Sequence, residues 1–435
     1  MTTTATPTRH EIAVAEANRD PRTGRPATAL QGILMLIGCC LPLLGSVLLS
    51  PILPAMQQHF DDVPGVSVWV PLVLSTPALL IAIGSPFAGA IVDKLGRRRL
   101  LIGSLIAYAI LGTAPLYLNT LWAILLTRVG VGIAEAGVMT CCTALLGDYF
   151  VGTRRNRYMS LQTVVMALAA TVLFAVGGAM GVAGWRAPFW LYSISLILAV
   201  LVIAFVWQPV AVHRDATAPV KLPPLPWRAL VPQLAVSLLC GIAFYAIIVE
   251  LPYVLDGFGV HDSTTLGIAT ATASLLTAIG AISFRWIAKL GVAILLPSAF
   301  ALSAIGLIIV WFAPSPVVAV FGAAVSSAGN GLMFPILLIW TLAQLDYAQR
   351  GRATGWWTAA IWLGQFASPL VVAALSAAIG SLQPALGVLG VVIAVVTVVL
   401  VFSVRHHPVQ SLVHVPEDAA ALLPATATQQ PVPES

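Results

Sequence analysis

Apolar residues run through this chain in long blocks broken by short polar intervals. Twelve such blocks fall at approximately 31–56, 66–91, 99–118, 120–147, 157–183, 187–207, 229–256, 264–287, 292–312, 316–343, 353–379 and 382–404. Each is close to or beyond the roughly 20 residues that ~30 Å of hydrocarbon requires. The blocks predict helices, because within lipid the backbone must satisfy its own hydrogen bonds, and barrel strands would alternate in polarity. The frequent Gly and Pro inside them fit this reading, since membrane helices tolerate both and pack closely through small residues. The fold class that follows is an all-α membrane protein with twelve transmembrane helices.

Composition agrees with that pattern. Of the 435 residues, 59% are hydrophobic and 9% charged, where a soluble globular chain carries about a quarter charged residues. The net charge of +5 would suggest a nucleic-acid partner if it formed a patch, but it is spread by topology. With a cytoplasmic N-terminus, 19 of the 21 Lys and Arg residues fall on the cytoplasmic side, leaving Arg186 outside and Arg128 within a block. Such an asymmetry sets orientation in a membrane. It predicts a multi-pass protein of the inner (cytoplasmic) membrane with both termini cytoplasmic, the bilayer as partner and no nucleic acid. Residues 1–29 are polar, and the first apolar block is too long for a signal-peptide core, so no cleavable signal is expected. Cys39, Cys40, Cys141, Cys142 and Cys240 all fall in blocks, which predicts packed free thiols and no metal site.

The one long polar interval between blocks is "QPVAVHRDATAPVKLPPLPWR", with six blocks on either side. Its prolines resist helix and mark a linker. The expected organisation is a disordered tail at 1–29, a six-helix bundle at 30–207, a cytoplasmic linker at 208–228, a second bundle at 229–404 and a disordered tail at 405–435. Internal repetition supports the division. "GAIVDKLG" ends at Gly96 and "FRWIAKLG" at Gly291, an offset of 195; "DYFVGTRRNRYMS" and "DYAQRGRATGWWT" are offset by 198. Duplicated bundles of this kind build alternating-access carriers, with the substrate site near mid-membrane between the halves.

"GAIVDKLGRRR" resembles the signature of the major facilitator superfamily: a Gly, an Asp four residues on, then Gly and a basic run, between helices 2 and 3. The likeness extends over roughly residues 30–405 in span number, halves and loop placement. "RVGVGIAEAGVMTCCTALLGDYF" resembles the family's fourth helix, and "GGAMGVAGWRAPFW" the helix 5–6 corner of its drug-exporting and organic-ion branches. Two departures stand out. Leu173-Phe174 precede Gly177-Gly178 where the exporter pattern has GPxxGG, and Phe284 and Ala288 replace Gly89 and Asp93 in the second copy.

The resemblance implies a gating cluster. Asp93 would face the positive N-terminal dipole of helix 11, Gly89 would permit close backbone approach, Gly96 would turn the loop, and Arg97 would pair with Asp148. The cluster would hold the outward-open state. The bland alternative is that the basic run serves topology alone.

Substrate and proton-coupling candidates come from polar residues within blocks. Arg128 and Glu135 are seven residues apart, so they share a helix face, with Gly132 between them. Ionisable groups at that depth cost roughly 2.5–3.5 kcal/mol on insertion scales and face a bundle interior or a wet cavity. They read as a coupling pair or substrate contact, or else as a fixed ion pair. Glu250, near the outer end of helix 7, either snorkels to the headgroups or forms a second proton or cation site. Asn330, between Gly329 and Gly331, either exposes its amide to a cavity or bonds between helices. Gln365 sits near the middle of helix 11. Tyr245 and Trp362 are expected to supply aromatic walls, Trp356 and Trp357 to sit in the interfacial belt, and Asp256 and Asp262 to be solvated.

These features predict a monomeric secondary carrier without cofactor, powered by the proton gradient and exporting a small organic molecule. Uptake of an organic anion on Arg128 is the first alternative, and a lipid flippase or sensor on the same fold the second. No Walker loop, HExxH or nucleophile elbow is present, so ATP-driven pumping and hydrolytic catalysis are not expected. An interfacial enzyme would have to use His59, Asp61 and Asp62.

Overall fold

The computed structural model describes residues 19–20, 24–150, 152–208, 223–343 and 345–405. Most of both expected tails and of the linker lies outside them. Among the described residues there is no strand, and twelve helical spans are long and apolar enough to cross a membrane. Spans 1–6 are Ala29–His59, Val66–Gly84, Arg97–Leu116, Leu121–Tyr149, Gly152–Gly181 and Ala187–Phe205. Spans 7–12 are Trp227–Gly257, Ser263–Leu290, Val292–Trp311, Pro316–Leu342, Gln349–Ile379 and Leu382–Val404.

Where boundaries differ from expectation, local chemistry explains it. The helices carrying spans 5 and 11 start at Gly152 and Tyr347, ahead of the apolar blocks at 157 and 353. Arg and Gln are good helix formers and extend the helices beyond the lipid. Asp346 and Gln349 close a capping box at the start of span 11. Span 2, expected through residue 91, stops at Gly84; a turn holding Pro86 intervenes, and a short helix follows over Ala88–Leu95. Gly96 then turns the chain at φ +79°, as Gly291 does at +76° between spans 8 and 9.

Span 1 is the most broken. It runs as Ala29–Cys40, Pro42–Ser46, a 3₁₀ turn at Ser50–Ile52 and Leu53–His59. Pro42, Pro51 and Pro54 each lack the amide that would continue the ladder. The break exposes carbonyls that other spans use: Tyr108 donates to Leu41 O at 2.6 Å and Tyr192 to Leu44 O at 3.3 Å.

Buried side chains gather into two large clusters. One draws on spans 1–6, joined by Tyr245, Ile248 and Val249 of span 7 and Ala271 of span 8; the other draws on spans 7–12. Span 1 packs on span 7, span 2 on span 11 and span 5 on span 8. The outer surface carries exposed Leu126, Ile133, Val172, Ile197 and Phe321, a distribution suited to lipid rather than water.

The Arg-bearing connections after spans 2, 4, 8 and 10 share one face, here the arginine-rich face. At the opposite face Gly178 and Gly267 put spans 5 and 8 in backbone contact: a Cβ on Gly178 would lie 2.7 Å from the Gly267 Cα. Nearby, Ser50 Oγ donates to Ile248 O at 2.5 Å. At the arginine-rich face span 11 meets the turn after span 2, where a Cβ on Gly355 would lie 3.3 Å from Pro86 Cα and Ser85 O.

Candidate functional site

A cavity of about 530 Å³ lies between the two clusters. Its walls come from spans 1, 4, 5, 7, 8, 10 and 11 and extend from mid-depth, at Ser46, Tyr245 and Thr270, toward the arginine-rich face at Thr163, Leu338 and Trp357. The lining is mostly apolar, with hydroxyls from Ser46, Thr270, Ser274, Thr277 and Ser327 and the Gln365 amide. Among the described residues, no Asp, Glu, Lys, Arg or His lines it. Phe244 and Phe334 meet edge to face at 5.0 Å. Tyr245 donates to Leu74 O at 3.0 Å and to Ser46 O at 3.3 Å, so its ring is fixed against spans 1 and 2.

Of the seven substrate and coupling candidates, Tyr245, Trp362 and Gln365 line this cavity. Trp357, assigned to the interfacial belt, lines it as well, and its buried indole N–H has no hydrogen-bond partner. The signal was present in spacing: Trp357, Thr358, Ile361, Trp362 and Gln365 recur at intervals that share a helix face. Trp356 instead packs edge-on against Trp227, with ring centroids 5.4 Å apart, and is partly exposed.

Arg128 and Glu135 are 0% and 1% exposed and do not line the cavity. Arg128 donates to Tyr192 Oη at 3.1 Å and Leu111 O at 3.0 Å, and its guanidinium lies 5.2 Å from the Tyr192 ring centroid. In this arrangement neither residue touches the cavity, and the two do not form a direct ion pair. No salt bridge within 4.0 Å joins them, because the tyrosines of spans 3 and 6 and the freed carbonyls absorb the guanidinium. Glu135 lies one layer behind the cavity wall. Its carboxyl abuts Gly45 in the broken part of span 1, whose neighbours Leu43 and Ser46 line the cavity. Tyr108 is its neighbour on the other side, and Glu135 Oε1 is buried with no hydrogen-bond partner.

Asn330 is fully buried and faces away from the cavity. Ser303 Oγ donates to its Oδ1 at 2.9 Å, and its Nδ2 reaches Ala243 O at 3.5 Å. Of the two readings, the amide thus takes the interhelical one, a tie between spans 7, 9 and 10. Glu250 is 6% exposed and lines a separate cavity of about 360 Å³ at the opposite face, so it does not snorkel.

In the gating cluster, Arg97 forms an ion pair with Asp148. The Asp93 side chain lies outside the described residues. The N-terminus of span 11, which Asp93 was expected to face, is capped by its own Asp346. Gly89 has open space where a Cβ would stand, and a close backbone approach between the turn after span 2 and span 11 occurs at Gly355. Arg98 donates to Val206 O at 2.6 Å and Ile203 O at 2.9 Å, capping the last carbonyls of span 6. This structural use was not visible in the basic run.

Comparison with known proteins follows this geometry. The sequence profile described as Major Facilitator Superfamily matches residues 35–261 and 233–431. The chain is 24% identical over 380 residues to the class C tetracycline resistance protein of Escherichia coli, covering 80% of this chain and 90% of that one. It is 25% identical over 224 residues to the multidrug efflux protein YfmO of Bacillus subtilis (strain 168), covering 50% and 54% respectively. The crystal structure of a D-xylose-proton symporter superposes with a TM-score of 0.70 at 14% identity, over 85% of this chain and 97% of that one.

Proposed function

The chain belongs to the major facilitator superfamily of membrane transporters, and on that premise we propose that it exports a small, uncharged, lipophilic organic molecule in exchange for protons. The arginine-rich face is then cytoplasmic and the opposite face outer, by the sidedness of Lys and Arg, in the inner membrane of a prokaryote. Residues 30–207 and 229–404 form the two lobes that rock about the central cavity. One observation carries the reading: a 530 Å³ cavity walled by both lobes has aromatic, aliphatic and hydroxyl groups and no charged side chain.

Such a lining favours apolar burial with a few hydrogen bonds for orientation. The unpartnered Trp357 N–H offers a donor, and the Gln365 amide can both donate and accept. Export accords with the likeness to the tetracycline resistance and multidrug efflux proteins. Uptake of an organic anion lacks support, since Arg128 is engaged elsewhere and no cation reaches the cavity.

Glu135 is the proposed coupling acid. Holding a carboxylate ionised and unpaired in the interior costs several kcal/mol, so a proton on Glu135 and the position of the broken span 1 segment are coupled. Shifting Gly45 away from the carboxyl opens a route between it and the cavity. His59, named for a possible interfacial enzyme, packs its ring on Phe60 and Trp185 at 4.8 and 5.2 Å, a structural use.

The test is flux in proteoliposomes across a panel of neutral, cationic and anionic solutes, with and without an imposed pH gradient. Gradient-driven movement of a neutral lipophile is the expected result. Movement confined to anions overturns the substrate class; labelled-lipid flipping alone, or saturable binding without flux, overturns the carrier reading in favour of a flippase or sensor.

A further inference from the structure

The outer face holds a second cavity, of about 360 Å³, walled by spans 1, 2, 7, 11 and 12. We propose that it is a binding site for an organic ammonium ion, separate from the central cavity.

The argument begins with two unmet groups. Glu250 is 6% exposed, and no described residue hydrogen-bonds to it or pairs with it. One turn on, the Tyr253 hydroxyl is buried without a partner. Three residues of spacing place both on one face of span 7, and both line this cavity. No Lys, Arg or His lines it. A buried carboxylate that lacks a cation costs several kcal/mol, and a ligand carrying positive charge removes that cost. The phenol adds a hydroxyl acceptor and a ring face, both favourable to an ammonium.

The walls identify the ion as organic. Val68, Pro71, Pro369, Val372, Ala373 and Ala377 are apolar, and Gln57, Ser67 and Ser376 are polar but uncharged. Glu250 is the one carboxylate, and among the described residues no group of three or more His, Cys, Asp or Glu could hold a metal ion such as Ca²⁺ or Mg²⁺. The volume is that of a small-molecule pocket. Charge on the same face also favours a cation. The connections of that face carry Asp61, Asp62, Asp256 and Asp262, of which Asp256 contacts His261 at 2.6 Å and Asp262 accepts from Thr265. Against them stands Arg186, which donates to Leu118 O and Asn119 Oδ1 at 3.1 and 2.9 Å. An excess of carboxylates on a face raises the local concentration of cations. Because spans 1 and 2 face spans 7 and 11 across the cavity, a bound ion touches both lobes.

Binding is measured directly, with the full chain in lipid nanodiscs and benzyltrimethylammonium as the probe. Neopentylbenzene, which has the same shape without the charge, is the reference. The ammonium is expected to bind at least tenfold more tightly than its neutral isostere, each affinity being read from the binding lost in Ala377→Trp, so that isostere held in the central cavity is not counted. Glu250→Gln is expected to abolish that preference, and Tyr253→Phe to weaken ammonium binding severalfold. Ala377→Trp, which fills the cavity and leaves the carboxyl in place, is expected to block binding; it answers the question if Glu250→Gln does not fold. Trp362→Ala, in the central cavity, is expected to leave binding unchanged. Equal binding of the two probes, no binding of either, or full ammonium affinity in Glu250→Gln or Ala377→Trp overturns the proposal. Loss of binding in Trp362→Ala assigns the probe to the central cavity and overturns it equally. None of these readings depends on transport, so failure of the carrier proposal and failure of this one are separable.

Discussion

At the scale of single residues, the chemistry concentrates where ionisable groups interrupt apolar helix. Glu135 abuts Gly45 and keeps one oxygen without a partner. Glu135→Gln is therefore expected to lose proton-driven accumulation at least tenfold while retaining substrate exchange at equal pH, measured in the same vesicles. Arg128 has a different role: its bonds to Tyr192 and Leu111 O hold spans 3, 4 and 6 together. Arg128→Met is expected to destabilise the fold by about 1.5–3 kcal/mol, the range for hydrogen bonds to charged groups, seen as a lower Tm in detergent. At the face opposite the arginine-rich one, the Thr265 hydroxyl and N–H donate to Asp262 at 2.7 and 2.8 Å and hold its carboxyl below its usual value. That cap contributes to stability at neutral pH, and the contribution is lost as pH falls through the lowered folded-state value. Asp262→Ala is accordingly expected to lower Tm at pH 7 and to have little effect at pH 2. The sequence singled out Glu135 and Arg128 because a charge within an apolar block is conspicuous. Their tyrosine partners were not legible, since Tyr108 and Tyr192 sit in apolar runs where an aromatic reads as filling. For Asn330 the sequence left two readings open, and the bond from Ser303 of span 9 selects the interhelical one, a contact that only packing reveals.

At the scale of elements, breaks and close approaches decide what can move. Proline breaks span 1 beside the cavity, and the carbonyls it frees anchor Tyr108 and Tyr192. Closure at the face opposite the arginine-rich one rests on Gly178 against Gly267, where any side chain meets backbone. Gly178→Val is expected to prise spans 5 and 8 apart at that face, the outer one in the proposed orientation. A cysteine placed at Val47 should then react faster with a membrane-impermeant thiol reagent added from outside; unchanged labelling would count against this closure. Twelve helices were legible from apolar length alone, and most ends fell within a few residues of expectation. The exceptions followed local rules that hydropathy ignores. Helix-forming Arg and Gln carry spans 5 and 11 past the lipid, and Pro86 divides the end of span 2. Beside that division Gly355 of span 11 comes close to Ser85 and Pro86, a tertiary contact no loop motif could specify.

At the scale of the whole molecule, two buried clusters share a cavity that reaches toward the arginine-rich face and is closed on the other. Rigid lobes turning about such a contact convert small local shifts into a change of access. The repeat offsets pointed to two halves, and the buried side chains gather into two clusters; the uncharged lining was not legible, because it is assembled from isolated small and aromatic residues of seven spans. The most direct test of the account is a reversible cross-link between Gly178→Cys and Gly267→Cys, with flux measured before oxidation, after oxidation and after reduction. The oxidised protein is expected to carry no substrate, to keep its cavity open to labelling from the arginine-rich face alone, and to recover on reduction. Undiminished flux with the cross-link intact would contradict alternating access between these lobes.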